Sequence, residues 1–186
     1  AVSMGRISEI LDTEEKISDG NIDKNTTDLE GVIEFRNVSF KYPDADECIL
    51  ENMNLKIEPG ETVAFIGSTG SGKSTLINLI PRFYDVTSGE ILIDGVNIKD
   101  MKLEYLHNKI GYVSQKAILF KGTIKSNIDF GKSLNKKITN DEVKEAIKIA
   151  QAEDFVSKME KDINSDIAQG GTNVSGGQKQ RLSIAR

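Results

Sequence analysis

In the first third of the chain, alternating apolar and polar positions predict strands. In residues 32–42, VIEFRNVSFKY, the alternation changes phase near Asn37, which is typical of a strand interrupted by a bulge. Residues 49–57 also alternate, and the turn sequence EPGE closes them. Further along, GEILIDGVNI predicts a hairpin that turns at Asp94-Gly95. This part of the molecule is therefore predicted to be built mainly from strands.

In the rest of the chain, apolar residues three to four positions apart predict helices. The predicted helices are at residues 73–83, 103–109, 139–150, 151–160 and 175–186. Pro81 disturbs the first of them, and Thr139 with Glu142 has the spacing of a capping box. Two short apolar runs, residues 62–66 and 110–113, predict strands, the first of them buried. The order of these elements predicts a mixed α/β fold.

The first thirty residues differ in composition from the rest. Residues 4–11 carry apolar side chains at helical spacing and predict a short amphipathic helix. The polar and acidic stretch that follows, DTEEKISDGNIDKNTTDLEG, predicts a linker. We therefore expect residues 1–30 to lead into a compact domain at residues 31–186.

The charge balance limits the kinds of partner. The chain has 24 basic and 29 acidic residues, a formal net charge of −5 and a pI near 5.1. It lacks the basic excess that general nucleic-acid binding requires. Its single cysteine, Cys48, cannot form an internal disulfide, which fits a reducing compartment. No apolar run approaches the roughly 18 residues that a membrane-spanning helix needs. We expect a cytosolic domain that binds no nucleic acid, with any membrane role supplied by a partner or another segment.

The stretch AFIGSTGSGKSTLI contains the pattern Gly67-x4-Gly72-Lys73-Ser74, which predicts a phosphate-binding loop. Glycines allow the backbone to curl so that successive N–H groups point at phosphate oxygens. Lys73 supplies a mobile cation for the outer phosphates, and the Ser74 hydroxyl can join the coordination shell of Mg²⁺. A chance match is expected on the order of once in 10⁴–10⁵ places. The predicted nucleotide-binding residues of this loop are Gly67, Ser68, Thr69, Gly70, Ser71, Gly72, Lys73, Ser74 and Thr75.

A second candidate anion site opens the last predicted helix, in NVSGGQKQRLSIAR. Taken alone, Ser175-Gly176-Gly177-Gln178 is more simply interpreted as a serine N-cap followed by two flexible glycines. One triphosphate can fill only one strong cradle, so the second cradle needs another ligand or another copy of the protein. In a two-fold pair, the second site of each copy would close over the phosphate loop of the other.

NVSGGQKQRLSIAR resembles the ABC-transporter signature, usually Leu-Ser-Gly-Gly-Gln, and nearly the whole chain is similar to the nucleotide-binding domain of an ABC exporter. FKGTIKSNIDFG resembles an exporter segment, and residues 4–11 resemble the connector that follows a last membrane helix. Val174 replaces the usual leucine, and IAQGGTN lacks a glutamate common before the signature. The resemblance implies a P-loop NTPase core with an N-terminal antiparallel β-subdomain and a helical subdomain. It also implies ATP and Mg²⁺ as ligands, and a head-to-tail dimer whose trans γ-phosphate contacts are Ser175, Gly176, Gly177 and Gln178.

Two further residues gain a role from the resemblance. Tyr42, in FKYPDADE, matches the aromatic residue that stacks on adenine, although its phase with Val38 and Phe40 also suits an ordinary strand aromatic. Gln115, in IGYVSQKAILF, matches a glutamine whose side-chain oxygen meets Mg²⁺ or the attacking water. Without the resemblance, a glutamine at a strand end is more simply a solvated residue. The predicted metal ligands are Ser74 and Gln115.

No catalytic residue is predicted within residues 1–186, apart from a role of Gln115 in positioning water or Mg²⁺. The resemblance puts the Walker B acid, the catalytic glutamate, the switch histidine and a strand of the central sheet after the signature helix. We therefore expect the C-terminal part of the core to lie beyond Arg186, leaving an exposed apolar edge. Asp94 precedes a glycine, which favours a hairpin turn over a catalytic acid, and His107 lies in a polar context typical of the surface.

The predicted function is ATP binding and hydrolysis in a pair of such domains, identical or not, coupled to export through a transmembrane domain of the same transporter. The resemblance implies a location at the cytoplasmic face of the cell membrane. Two alternatives stay open. The chain could be a nucleotide-binding module or degenerate half that does not hydrolyse ATP, or part of a soluble ABC-type ATPase.

Overall fold

An antiparallel sheet organises the first of the two units into which the chain divides, Ala1–Ile110 and Gly111–Arg186. The computed structural model describes residues 17–23, 30–130 and 138–186, and the helix predicted at residues 4–11 lies outside them. The sheet has the order β2-β1-β3-β4, and every pairing is antiparallel. Its strands are β1 Ile33–Phe40, β2 Leu50–Ile57, β3 Ser88–Ile93 and β4 Val96–Asn97. The strands predicted from the alternating pattern are confirmed.

The phase change near Asn37 is a bulge in β1. Asn37 has a φ of 49°, and the register between β1 and β2 shifts between Phe35 and Val38. The extra residue turns Val38 back to the face that Phe35 occupies. Phe35, Val38 and Phe40 are therefore all buried in the core of this unit, although the first two are three positions apart.

The predicted hairpin at Asp94-Gly95 joins β3 to β4. Both residues have positive φ, 49° and 77°, as a type I′ turn requires. The Asp94 carboxylate accepts hydrogen bonds from the backbone N–H groups of Gly31 at 3.0 Å and Val32 at 2.8 Å. Asp94 therefore closes a turn and anchors the entrance to β1, which confirms its interpretation as a turn residue.

Two helices, α1 Lys73–Leu79 and α2 Leu103–His107, add apolar side chains to the cluster that covers the sheet. Leu79 and Leu106 are almost completely buried there. The predicted helix at residues 73–83 is thus shorter than expected. It ends at Leu79, two positions before Pro81, because proline has no backbone N–H to continue the helical hydrogen bonds.

Two predicted strands are wrong. Residues 62–66 and 110–113 form no strand, and neither run pairs with another segment of the described chain. Ile66 is 96% exposed, and Val63 and Val113 are exposed as well. A strand satisfies its backbone polar groups only by pairing with a neighbour. An apolar run indicates a tendency to be buried, but it does not reveal whether a partner strand is present.

Part of the predicted linker is hydrogen-bonded to the first unit. We name residues 17–23 the docked segment. The amides of Asn21 and Ile22 both donate to the carbonyl of Asp100, at 2.9 and 2.8 Å, and the amide of Lys102 donates back to Ile22 at 2.8 Å. The docked segment is thus fastened immediately before α2.

The docked segment also caps α2. Asp19 Oδ1 accepts a hydrogen bond from the amide of Leu103 at 2.7 Å, while Lys102, at the N-cap position, gives no side-chain cap. An acidic side chain 84 positions away in sequence thereby satisfies one of the free amides of the first helical turn. Nearby, a hydrogen bond from Lys102 and its charge lower the pKa of the exposed Asp23 carboxyl.

The second unit is mainly helical and has its own core. Its strands are β5 Gly122–Thr123 and β6 Asp166–Ile167, which pair antiparallel. Its helices are α3 Ile124–Ile128, α4 Asn140–Ile149, α5 Glu153–Val156 and α6 Gly176–Ala185, with 3-10 turns at Asp162–Asn164 and Gln169–Gly171. The core includes Leu119, Ile124, Val143, Ile147 and Leu182. The helix predicted over residues 151–160 is wrong in extent, because only α5 is α-helical there.

The predicted capping box opens α4. Thr139 Oγ1 accepts a hydrogen bond from the amide of Glu142 at 3.3 Å, and a Glu142 carboxylate oxygen accepts one from the amide of Thr139 at 2.8 Å. Each side chain thus satisfies the backbone of the other, as the four-residue motif predicts.

Across the described residues, every helix falls short of the length and apolar character that crossing a bilayer demands.

Candidate functional site

The backbone of the candidate phosphate loop adopts conformations that favour glycine. Gly70 and Gly72 have φ of 86° and 83°, in the left-handed region. A Cβ on Gly72 would lie 2.9 Å from a methyl carbon of Leu50 and 3.1 Å from the carbonyl oxygen of Ile49. At Gly67 a Cβ would come within 2.7 Å of the Ser71 hydroxyl. The glycine pattern in the sequence therefore has a steric cause in the loop.

Lys73 reaches back over the loop that precedes it. Its ammonium donates to the carbonyl oxygens of Gly67 at 2.9 Å and Ser68 at 2.6 Å, and lies 3.2 Å from the Ser71 hydroxyl. The four methylene groups of the side chain thus place a positive charge above the curled backbone. From this position the N–H groups of the ammonium can also donate to a phosphate oxygen bound in the loop.

The two hydroxyl residues after Lys73 face different surroundings. Ser74 is exposed, so its hydroxyl is available to a ligand or a metal ion. Thr75 is only 5% exposed, and its Oγ1 lies 3.0 Å from the hydroxyl of Tyr42, with either group able to donate. Tyr42 is thereby connected to the first turn of α1, beside the phosphate loop.

Tyr42 is half-buried and belongs to an aromatic cluster. Its ring meets Phe40 edge-on at 4.9 Å between centroids, and it meets Tyr84 edge-on at 5.1 Å. The Tyr42 side chain thus packs partly against the core and also contacts Thr75 in α1. Sequence reasoning did not single out Tyr84, since no local pattern connects it to Tyr42, 42 positions earlier.

In the candidate signature, Ser175 caps α6. Ser175 Oγ accepts a hydrogen bond from the amide of Gln178 at 3.3 Å, and Gln178 Oε1 accepts one from the amide of Ser175 at 2.8 Å. The N-cap interpretation of Ser175 is therefore confirmed. Gly176 and Gly177 are exposed, and a Cβ on either would meet nothing within 4 Å. Packing within the described chain gives no reason for glycine at these two positions.

Gln115 is exposed in a bend. The neighbouring Ser114 hydroxyl donates to the carbonyl of Lys116 at 2.8 Å, which shapes the turn. Gln115 and the signature belong to the second unit, whereas the phosphate loop and Tyr42 belong to the first. The structure brings the loop, Thr75 and Tyr42 together within one unit.

His107 lies at the surface, as its polar sequence context predicts. His107 is exposed, and its Nε2 lies 2.8 Å from the carbonyl oxygen of Pro81. Within the described ranges, no three histidine, cysteine, aspartate or glutamate side chains are grouped so as to hold a metal ion. The exposed Ser74 hydroxyl of the loop is an oxygen donor of the kind that Mg²⁺ prefers.

Comparison with protein families places this arrangement in a class. A family model described as ABC transporter matches residues 50–186, which is most of the chain. The chain belongs to the ABC transporter family, and its α/β fold matches the nucleotide-binding domain of ABC exporters.

Individual relatives agree with this assignment. The chain is 50% identical over 180 residues to a protein of Staphylococcus aureus (strain NCTC 8325 / PS 47) named "Putative multidrug export ATP-binding/permease protein". It is 48% identical over 180 residues to a protein of the same description from strain bovine RF122 / ET3-1. Each match covers 97% of this chain and 31% of the relative.

A solved structure of a bacterial Atm1-family ABC exporter with ATP bound is also similar. The TM-score is 0.88 at 33% sequence identity, over 99% of this chain and 32% of that chain. This chain therefore spans about a third of the length of the proteins that it matches.

Proposed function

We propose that this chain binds MgATP at residues 67–75 and that, in the full-length protein, it couples ATP binding and hydrolysis to the export of a substrate. The observation that carries the proposal is the position of the Lys73 ammonium above a loop whose backbone needs glycine at Gly70 and Gly72. Backbone N–H groups of such a loop, together with one cation, can neutralise a triphosphate in a chain that has no basic excess.

We assign the remaining parts of the nucleotide to three residues. Tyr42 stacks on the adenine ring, and Ser74 and Gln115 contact Mg²⁺. The metal ion, when bound, draws charge from the phosphate oxygens and so favours cleavage of the terminal phosphate. Lys73 neutralises the outer phosphates, and the loop amides fix their orientation. These roles need no protein metal cluster, because the phosphates supply part of the coordination.

Gly176 and Gly177 support a role for the signature in a second molecule. Glycine in a helix is less favourable than alanine by about 0.5–1 kcal/mol, through lost backbone entropy. Neither glycine avoids a clash within the described chain. The presence of glycine at both positions is explained if another surface must approach the backbone closely. We propose that this surface is the ATP held by a partner domain in a head-to-tail pair, whether the partner is identical or not.

The wider assignment follows the exporter relatives. We propose that residues 1–30 connect the domain, residues 31–186, to a transmembrane domain of the same transporter, and that the domain lies at the cytoplasmic face of the cell membrane. The acid, base and histidine for hydrolysis are expected outside residues 1–186.

The central test is binding of MgATP by Lys73→Ala, measured by calorimetry. Because a hydrogen bond to a charged group contributes about 1.5–3 kcal/mol, we expect an affinity roughly 10- to 150-fold below that of the wild type. Lys99→Ala is the matched control, since it removes an exposed lysine of the same unit whose hydrogen bonds are made by its backbone to Arg82 and Asn97, and it should leave the affinity unchanged.

Equal affinity of Lys73→Ala and the wild type would show that the loop assignment is wrong. A measurement of ATP turnover by this 186-residue chain tests the expected location of the catalytic base. Sustained hydrolysis that Lys73→Ala abolishes would contradict the expectation that the catalytic base lies elsewhere.

A further inference from the structure

Three aromatic side chains form a cluster beside the phosphate loop. The centroids of Phe40 and Tyr42 are 4.9 Å apart, those of Tyr42 and Tyr84 are 5.1 Å apart, and those of Phe40 and Tyr84 are 5.6 Å apart. The planes of Tyr42 and Tyr84 stand at 90°, so the edge of one ring meets the face of the other. Edge contacts of this kind are favourable because the positive edge of one ring meets the negative face of the other.

We propose that Tyr84 is a positioning residue for nucleotide binding, which holds the ring of Tyr42 in the orientation that stacks on the base. The inference rests on the proposed function, because it assumes that Tyr42 contacts the base of a bound nucleotide. Tyr84 itself contacts the ring of Tyr42 and acts through it.

The ring of Tyr42 is fixed at more than one point. Phe40 and Tyr84 limit rotation of the ring, while the hydrogen bond to Thr75 holds its hydroxyl end. A tyrosine side chain has two rotatable angles, so these contacts are enough to define one orientation. The base platform is therefore arranged before the nucleotide arrives, which reduces the entropy lost on binding.

Thr75 connects this platform to the phosphate loop. It is buried in the first turn of α1, two positions after Lys73. Its Oγ1 lies 3.0 Å from the Tyr42 hydroxyl. The position of the Tyr42 ring relative to the phosphate loop is thus set by its hydrogen bond to Thr75 and by the first turn of α1.

Tyr84 lies between the two residues of an ion pair, Arg82 and Asp85. Arg82 is 3% exposed and has a φ of 56°, a conformation that L-residues rarely adopt. Its guanidinium donates to the Asp85 carboxylate at 2.7 and 3.2 Å, and to the carbonyl of Lys99 at 3.2 Å. This bidentate pair, in which the Arg82 side chain is buried and the Asp85 side chain is 30% exposed, fixes the direction of the turn that carries Tyr84.

The experiment compares two probes, MgATP and inorganic tripolyphosphate, which presents three phosphates but no base. In Tyr84→Ala we expect the affinity for MgATP to fall about 2- to 10-fold, the range of an aromatic pair, while the affinity for tripolyphosphate stays at the wild-type value. Tyr84→Phe keeps the ring and should restore MgATP affinity. Tyr84→Leu keeps apolar volume without the aromatic edge and should repeat the selective loss, even if Tyr84→Ala folds poorly.

Phe83→Ala is the matched control. Phe83 is the adjacent aromatic residue, it is exposed to a similar degree, and its ring lies near the ring of His107. We expect it to bind both probes as the wild type does.

The outcomes separate this inference from the proposed function. If Tyr84→Leu lowered the affinities for MgATP and tripolyphosphate equally, Tyr84 would have a general structural role and the inference would be overturned. Unchanged MgATP affinity in that variant would also overturn it, while the proposed function stands. If the wild type bound neither probe, the proposed function would fail and the inference with it.

Discussion

At the scale of single residues, Gly176 and Gly177 differ from the glycines of the phosphate loop. Gly72 has a positive φ and close neighbours, so its own fold requires glycine. The two signature glycines lie in the first turn of α6 with open space where a side chain would be. Under the proposed function, glycine at these positions serves a contact with a partner domain, and a substitution there should separate stability from function.

We predict that Gly177→Ala raises the free energy of unfolding of the second unit by up to about 1 kcal/mol, because alanine loses less backbone entropy in a helix. In the full-length protein the same substitution should weaken ATP-dependent pairing, since the new methyl group occupies the face that approaches the partner. Denaturant unfolding measures the first effect, and sedimentation velocity with MgATP measures the second. Pairing as strong as that of the wild type would count against a trans contact at Gly177.

At the scale of elements, the docked segment shows how a stretch of linker-like composition acquires a defined place. Gly20 allows the docked segment to lie this close to the backbone of Asp100 and Met101. A Cβ there would lie 2.4 Å from the carbonyl carbon and oxygen of Asp100 and from the carbonyl oxygen of Met101. These are backbone atoms, which cannot move aside as a flexible side chain can, so any larger residue must separate the segment from the start of α2.

We therefore predict that Gly20→Ala releases the docked segment. The amides of Asn21, Ile22 and Leu103 donate to Asp100 or Asp19 in the native structure, and all three should lose protection in hydrogen exchange. Gly111→Ala is the control, because a Cβ there meets nothing within 4 Å and its φ is not positive. Native protection of these amides in Gly20→Ala would show that the segment is held in another way.

The elements that sequence predicts well are those specified by neighbouring residues. The bulge at Asn37, the turn at Asp94-Gly95 and the caps at Thr139 and Ser175 each follow from a motif of a few positions. The errors arise where a distant partner decides the structure. Residues 62–66 resemble a buried strand yet pair with no described segment.

The candidate site shows the same division between local and distant determinants. The Gly-rich loop and Lys73 were predictable, since the motif is local and its glycines have steric causes. The link from Tyr42 to Thr75 and Tyr84 was not, because it joins residues 33 and 42 positions apart through the packing of the first unit. Likewise, no spacing rule identifies Asp19 as the cap of α2, 84 residues further on.

At the scale of the whole molecule, the described chain has two separate apolar cores. One cluster draws its buried residues from Phe35 to Leu106, and the other from Leu119 to Ala185. Each cluster thus lies within one of the two compact units. A molecule with two cores is not required to unfold in one cooperative step.

We predict two resolved transitions in calorimetric melting. Leu79 and Leu182 are both 0% exposed, one in each core, and replacement of either by alanine should destabilise its own unit by about 2–5 kcal/mol. Leu79→Ala should lower only one of the transition temperatures, and Leu182→Ala only the other. A single transition that both variants shift equally would indicate that the two cores unfold together.

The docked segment has a mechanical consequence for the protein as a whole. Tension that arrives along the chain from before Ile17 is resisted first by the bonds to Asp100, Lys102 and Leu103, ahead of the sheet. The contacts of the docked segment thereby link the upstream chain to the first turn of α2, on the same unit as the phosphate loop.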